Sequence, residues 1–132
     1  MSDQTVDDLV EAAKAARANA YAPYSNFSVG AAVLAGGRIF AGVNVENASY
    51  PQGICAERAA VFAAVAAGHR QIDAVAVAAG NDDITPPCGG CRQVLNEFGP
   101  DMLVVSESAG GHRKRWRLSV LLPDAFGPAD LA

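Results

Sequence analysis

Three cysteines and one glutamate carry the pattern best suited to chemistry. Cys55 stands in ICAER with Glu57 two positions later, and Cys88 and Cys91 stand in PPCGGCRQV. A thiolate is a nucleophile, a redox centre or a soft metal ligand. CGGC by itself leaves all three uses open, including a thiol–disulfide pair. The third cysteine changes the balance. Three cysteines cannot all pair within one chain, and an odd count favours a reducing compartment with metal or catalytic use. Structural zinc sites usually close with four protein ligands, whereas catalytic ones keep a position for water. Neither His69 nor His112 has spacing that suggests a fourth ligand, and each reads as an ordinary surface histidine. Cys55, Cys88 and Cys91 are therefore candidate ligands of one open zinc site.

Such a site needs help from its neighbours. Zinc with an open position makes hydroxide available near neutral pH. Three thiolates leave a net negative cluster that opposes this. Arg58 could donate to the sulfurs and restore the acidity, although position alone equally fits a solvated helix arginine. Glu57, in the first turn of a helix, could take a proton from such a water and pass it to a substrate nitrogen. Read in isolation, it would simply complement the helix dipole.

These residues must be positioned by secondary structure. Val6, Leu9, Val10, Ala13, Ala16 and Ala20 follow helical periodicity, and Thr5 with Asp8 has capping-box spacing, predicting a helix over 5–20. APYSNF, 22–27, reads as a loop. SVGAAVLA and RIFAGVNV flank Gly36-Gly37, predicting a hairpin with strands near 28–35 and 38–45. An alanine-rich helix over 55–67 stops at Gly68. Residues 72–79 and 102–106 read as buried strands, joined through a helix over 88–98 as a parallel crossover. Pro87 suits a first helical turn. Cys55 and Cys88 then fall at helix N-termini, where partial positive charge favours thiolate. Cys91 follows Cys88 on the same helix face. RKRWRL predicts a last strand, and SVLLPDAF a turn or short helix. The expected architecture is α/β: a three-layer α/β/α sandwich around a mixed sheet of about five strands, in one domain spanning 1–132.

The chain has 132 residues, 51% of them apolar, enough for a core, and a net charge of −4. Polyanion binding wants a basic surface, so nucleic acid is disfavoured as a partner. The basic run RKRWR, 113–117, reads as the solvated edge of a strand. No apolar run approaches the ~20 residues that span a bilayer, and MSDQTVDDLV lacks the features of a signal peptide. A cytoplasmic location is expected, with no membrane partner.

The set NVENASY, ICAERAAV and PCGGCRQV, in this order, resembles the small cytidine deaminases that act on free nucleosides. YAPYSNFSVGAAVL before it and LLPDAFGPADL after it match the same family, so the resemblance covers nearly the whole chain. Ser49 and Gly90 sit where related sequences vary, and the segment SAGGHRKRWRL is the least familiar stretch. The resemblance implies hydrolytic deamination of cytidine and 2′-deoxycytidine to uridine and 2′-deoxyuridine, in pyrimidine salvage. It implies one Zn²⁺ per chain on Cys55, Cys88 and Cys91, with Glu57 as proton shuttle. It implies that the Ala56 backbone hydrogen-bonds the base, that Phe27 stacks on it, and that Asn44 and Glu46 bind the ribose. It also implies a homotetramer whose sites are completed by neighbouring subunits, with Tyr50 and Phe126 reaching across. Two rivals remain besides the redox pair: a non-catalytic zinc module, and a deaminase of the wider superfamily acting on another amine. The residues alone do not rank cytidine against deoxycytidine.

Overall fold

A computed structural model describes all 132 residues. Its elements are α1 (Asp3–Arg17), β1 (Val29–Ala35), β2 (Arg38–Val43), α2 (Ala56–Ala66), β3 (Ala74–Ala79), α3 (Gly89–Phe98), β4 (Leu103–Glu107), β5 (Arg113–Arg117) and α4 (Leu118–Leu121). The strands form one sheet in the order β2-β1-β3-β4-β5. β3 and β4 pair in parallel across α3, and the other neighbours pair antiparallel. This is the expected mixed five-stranded α/β architecture.

The sequence explains the layering. β3, AVAVAA, is buried along its whole length, as a central strand covered on both faces should be. Val6, Leu9, Val10 and Ala13 of α1 pack on Ala32, Ala74, Ala76, Ala78 and Val105, forming one layer. Ala60, Val61 and Ala64 of α2, with Leu95 of α3, pack on Ala31, Val33, Val75 and Val77 on the opposite face. The alternation of neighbouring strand residues between these clusters is the two-residue period of a sheet. Gly36 and Gly37 have φ of 58° and 75°, and a two-residue hairpin of the kind that matches strand twist needs positive φ at both.

Several boundaries differ from expectation. α1 begins at Asp3 and not at 5, because Ser2 caps it: the Ser2 hydroxyl accepts from the Thr5 N–H at 3.1 Å. It ends at Arg17 and not at 20, because Tyr21 pairs with Val45 outside the sheet. β2 stops at Val43, where the Asn44 side chain turns to the backbone of Phe27 and Val29. β3 begins at Ala74, two residues later than expected, and β4 runs one residue further, to Glu107. Pro87 is buried ahead of α3 and not in its first turn, since Cys88 is the N-cap.

β5 lies at the sheet edge, where the basic run was expected. Arg113 pairs with Asp7 at 2.7 Å and with Glu107 at 3.0 Å, and Lys14 reaches Glu107 at 3.1 Å. No helix is long and apolar enough to cross a membrane.

One consequence of the topology places the functional residues. β2 and β3 both run antiparallel to β1 and end beside its start, through Gly30↔Val43 and Gly30↔Ala78. The helices that follow, α2 and α3, therefore begin at the same end of the sheet. Their N-termini carry Cys55, Cys88 and Cys91.

Candidate active site

Cys55 is the N-cap of α2 and Cys88 the N-cap of α3. Both have extended backbone, which turns the side chain across the open end of its helix. Cys91 sits one turn into α3 and is fully buried, and its backbone N–H donates to the Cys88 sulfur at 3.4 Å. The three sulfurs lie within 4.8 Å of one another and all three thiols are free. Ligands of a tetrahedral zinc with bonds of about 2.3 Å stand about 3.8 Å apart, so this spacing accommodates the ion. No histidine or carboxylate joins the cluster, which leaves the fourth position open.

Arg58 supports the same conclusion. Its Nε is buried with no hydrogen-bond partner. Its guanidinium is held charged first by Cys91, and then by the charges of Cys55 and Cys88. A methyl at Gly90 would stand 2.3 Å from Arg58 Nη2, so the first turn of α3 leaves this space for the guanidinium. A half-buried cation beside three thiols is what a thiolate cluster requires. A hydrogen bond from Cys91 lowers the Cys55 thiol to about 6, with help from Cys88 and Arg58. Cys91 is pushed up, first by its bond to Cys55 and then by burial.

Glu57 follows on the first turn of α2 and is only 6% exposed. Burial, and then the charge at Cys55, raises its carboxyl to about 7. A carboxyl so placed, beside a metal donor set and facing a cavity, has the attributes of a proton carrier.

The cavity measures about 620 Å³, enough for a small ligand. Phe27, Asn44, Glu46, Tyr50, Cys55, Ala56, Glu57, Arg58 and Cys88 line it. Cys91 lies buried behind them. The structure thus brings together every site residue expected from sequence except Phe126. The Phe126 carbonyl accepts from Gln93 and Asn96 on α3, and the residue is 58% exposed, outside this cavity. Asn44 and Glu46 are partly engaged. Asn44 accepts from the Val29 N–H at 2.9 Å and donates to the Phe27 carbonyl at 2.7 Å. Glu46 Oε1 accepts from the N–H groups of Tyr24 and Ser25 at 3.0 and 3.1 Å. The Ser25 bonds, its hydroxyl first, hold the Glu46 carboxyl below its ordinary range. Sequence reasoning gave no role to Ser25 or Tyr24, nor to Thr85 and Pro86, which also line the cavity. The loop APYSNF signals a turn and nothing more.

Comparisons with known proteins agree with this geometry. Residues 3–107 match the model of the cytidine and deoxycytidylate deaminase zinc-binding region. The chain is 44% identical over 129 residues to a cytidine deaminase of Sporosarcina psychrophila, covering 96% of this chain and 95% of that one. It is 48% identical over 117 residues to a cytidine deaminase of Mycobacterium tuberculosis, covering 88% of this chain and 85% of that one. The crystal structure of a cytidine deaminase from Burkholderia pseudomallei superposes with a TM-score of 0.87 at 49% identity, over 96% of this chain and 100% of that one.

Proposed function

Because the chain belongs to the zinc-binding cytidine and deoxycytidylate deaminase family, we propose that it converts cytidine and 2′-deoxycytidine to uridine and 2′-deoxyuridine, releasing ammonia. The observation that carries this reading is the buried Glu57 carboxyl on the wall of a nucleoside-sized cavity, beside three convergent thiols. Zinc bound by Cys55, Cys88 and Cys91 supplies Lewis acidity toward a water molecule.

Every other part belongs to the chain. Glu57 carries one proton from the attacking water to ring nitrogen 3 and the second to the departing amine. The C4–O bond forms first as nitrogen 3 takes its proton, and the C4–N bond then breaks as the protonated amine leaves as ammonia, so atoms and charge balance. The carboxyl's burial keeps bulk water from intercepting the proton. Arg58 offsets the charge of the thiolates. The Ala56 backbone hydrogen-bonds the base, and Phe27 provides an apolar face for it. Asn44 retains one amide hydrogen and Glu46 retains acceptor capacity, which suits sugar hydroxyls.

The whole chain, 1–132, works as one domain, in a cytoplasmic homotetramer serving pyrimidine salvage. Tyr50 is 75% exposed and Phe126 is 58% exposed. Phe126, exposed and outside its own chain's cavity, would complete a neighbour's, and Tyr50, which lines the cavity of its own chain, would also reach across the subunit boundary.

The test is the fall in ultraviolet absorbance when purified protein meets cytidine, with and without a strong zinc chelator. Rapid chelator-sensitive loss is expected. Zinc present at one per chain with no loss would move the substrate elsewhere in the superfamily. No zinc and no loss would return CGGC to a redox role.

A further inference from the structure

A closed set of hydrogen bonds joins Glu46 to the loop that carries Phe27. Glu46 Oε1 accepts from the N–H groups of Tyr24 and Ser25, and Glu46 Oε2 accepts from the Ser25 hydroxyl. The Ser25 oxygen in turn accepts from the Phe27 N–H at 3.0 Å. The Phe27 carbonyl is held from the other side by Asn44 at 2.7 Å. Between Ser25 and Phe27, Asn26 takes a left-handed φ of 56°, which folds the loop back sharply enough to close the ring of bonds. Asparagine tolerates that conformation better than most residues. One hydroxyl therefore fixes a carboxylate on one wall of the cavity and the backbone of an aromatic residue on another.

We propose that Ser25 is a positioning residue: its hydroxyl locks Glu46 and Phe27 into one preset unit for binding the nucleoside. The inference rests on the reading of Glu46 and Phe27 as substrate contacts. A carboxylate has about four acceptor sites. Three are used by Tyr24 and Ser25, so a substrate hydroxyl meets one remaining acceptor, already aimed. Without the Ser25 hydroxyl, Glu46 Oε2 loses its only protein partner and the Phe27 N–H loses its acceptor. Binding would then have to order both groups, and preorganisation of this kind is a main determinant of affinity. Ser25 touches no reacting atom in this scheme, so its loss falls on binding and not on the chemical step.

The test uses zinc-loaded enzyme and steady-state kinetics with cytidine for Ser25→Ala, Ser25→Thr, Glu46→Ala and the Ser25→Ala/Glu46→Ala pair. The expected result for Ser25→Ala is a KM raised roughly tenfold with kcat within about twofold. Ser25→Thr, which keeps the hydroxyl, should restore KM to within about twofold of the parent. In the Glu46→Ala background, Ser25→Ala should raise KM by clearly less than in the parent, because only the Phe27 half of the unit is left for the hydroxyl to hold. If Glu46→Ala raises KM and a folded Ser25→Ala does not, the Ser25 inference is wrong while the substrate reading stands. If neither changes KM, Glu46 is no substrate contact and both readings fall. Should Ser25→Ala fail to fold, Ser25→Cys keeps the side-chain connectivity, slightly enlarged, with a weaker donor. An unchanged KM in that variant would overturn the proposal, and a rise of about threefold or more would support it.

Discussion

The backbone N–H of Cys91 donates to the sulfur of Cys88 at 3.4 Å. One metal-ligand candidate thereby fixes another through the start of a helix. The first N–H groups of a helix have no partner inside it, and here a ligand sulfur supplies one. The Arg92 N–H closes the same turn on the Cys88 carbonyl at 2.9 Å. Arg92 also ties Pro87 and Leu121 to α3 through its guanidinium, at 2.8 and 2.9 Å. The first turn of α3 is thus a braced platform for two sulfurs, and the first turn of α2 brings the third.

Cys91→Ser tests that platform. The residue is fully buried, and serine leaves a hard, protonated oxygen where a soft thiolate stood. Zinc content should fall below half an ion per chain. Turnover should fall by more than the 10–100-fold typical of losing an outer partner of a metal ligand. Metal analysis and the cytidine assay on the same sample check both. Full zinc content would contradict the assignment.

Glu57→Gln separates chemistry from architecture. Glutamine keeps the shape but cannot carry a proton between water and the base. Turnover should drop by roughly 10²–10⁴-fold, with zinc content and circular dichroism unchanged. A non-catalytic zinc module predicts no comparable loss in any reaction.

Gly42→Ala probes how α2 is seated. A methyl there would meet the Ala60 nitrogen at 2.4 Å and the Ala56 carbonyl oxygen at 2.7 Å. Both are backbone atoms that cannot swing away. The helix must lift from β2, at a cost of about 1–3 kcal/mol. Cys55 and Glu57 ride on that helix, so turnover should fall along with Tm. An unchanged melting temperature would mean that the close packing of β2 on α2 carries no stability.

Phe126→Ala tests completion of the site by a neighbour. The residue lies outside the cavity of its own chain, and its carbonyl accepts hydrogen bonds from Gln93 and Asn96. In a protein whose mass in solution is still that of a tetramer, KM for cytidine should rise about five- to tenfold, as for a lost aromatic contact. An unchanged KM in an intact tetramer would defeat the idea.

Much of this arrangement was legible in the sequence, for definite reasons. The strands and helices follow from short-range periodicity and from Gly36-Gly37. The convergence of Cys55 with Cys88 and Cys91 follows once both are placed at helix starts on one end of a sheet. What stayed hidden was set by contacts distant in sequence. Glu46 meets Ser25 across 21 positions and Asn44 meets Phe27 across 17, and no local pattern announces such pairs. The capping-box spacing of Thr5 and Asp8 pointed two residues too far in, since Ser2 caps α1, and tertiary pairing of Tyr21 ended α1 early. Gly90 looked like a loose variable position. It proves to be space for the Arg58 guanidinium, a fact of side-chain packing that spacing cannot express.

The most direct measurement is a zinc titration of metal-stripped protein, following cytidine deamination. Activity should rise in proportion to added zinc and level off at one ion per chain, with Cys91→Ser failing to recover at the same concentrations. Deamination by the stripped protein that zinc neither restores nor increases would contradict the account, and so would saturation with zinc at one per chain and no activity.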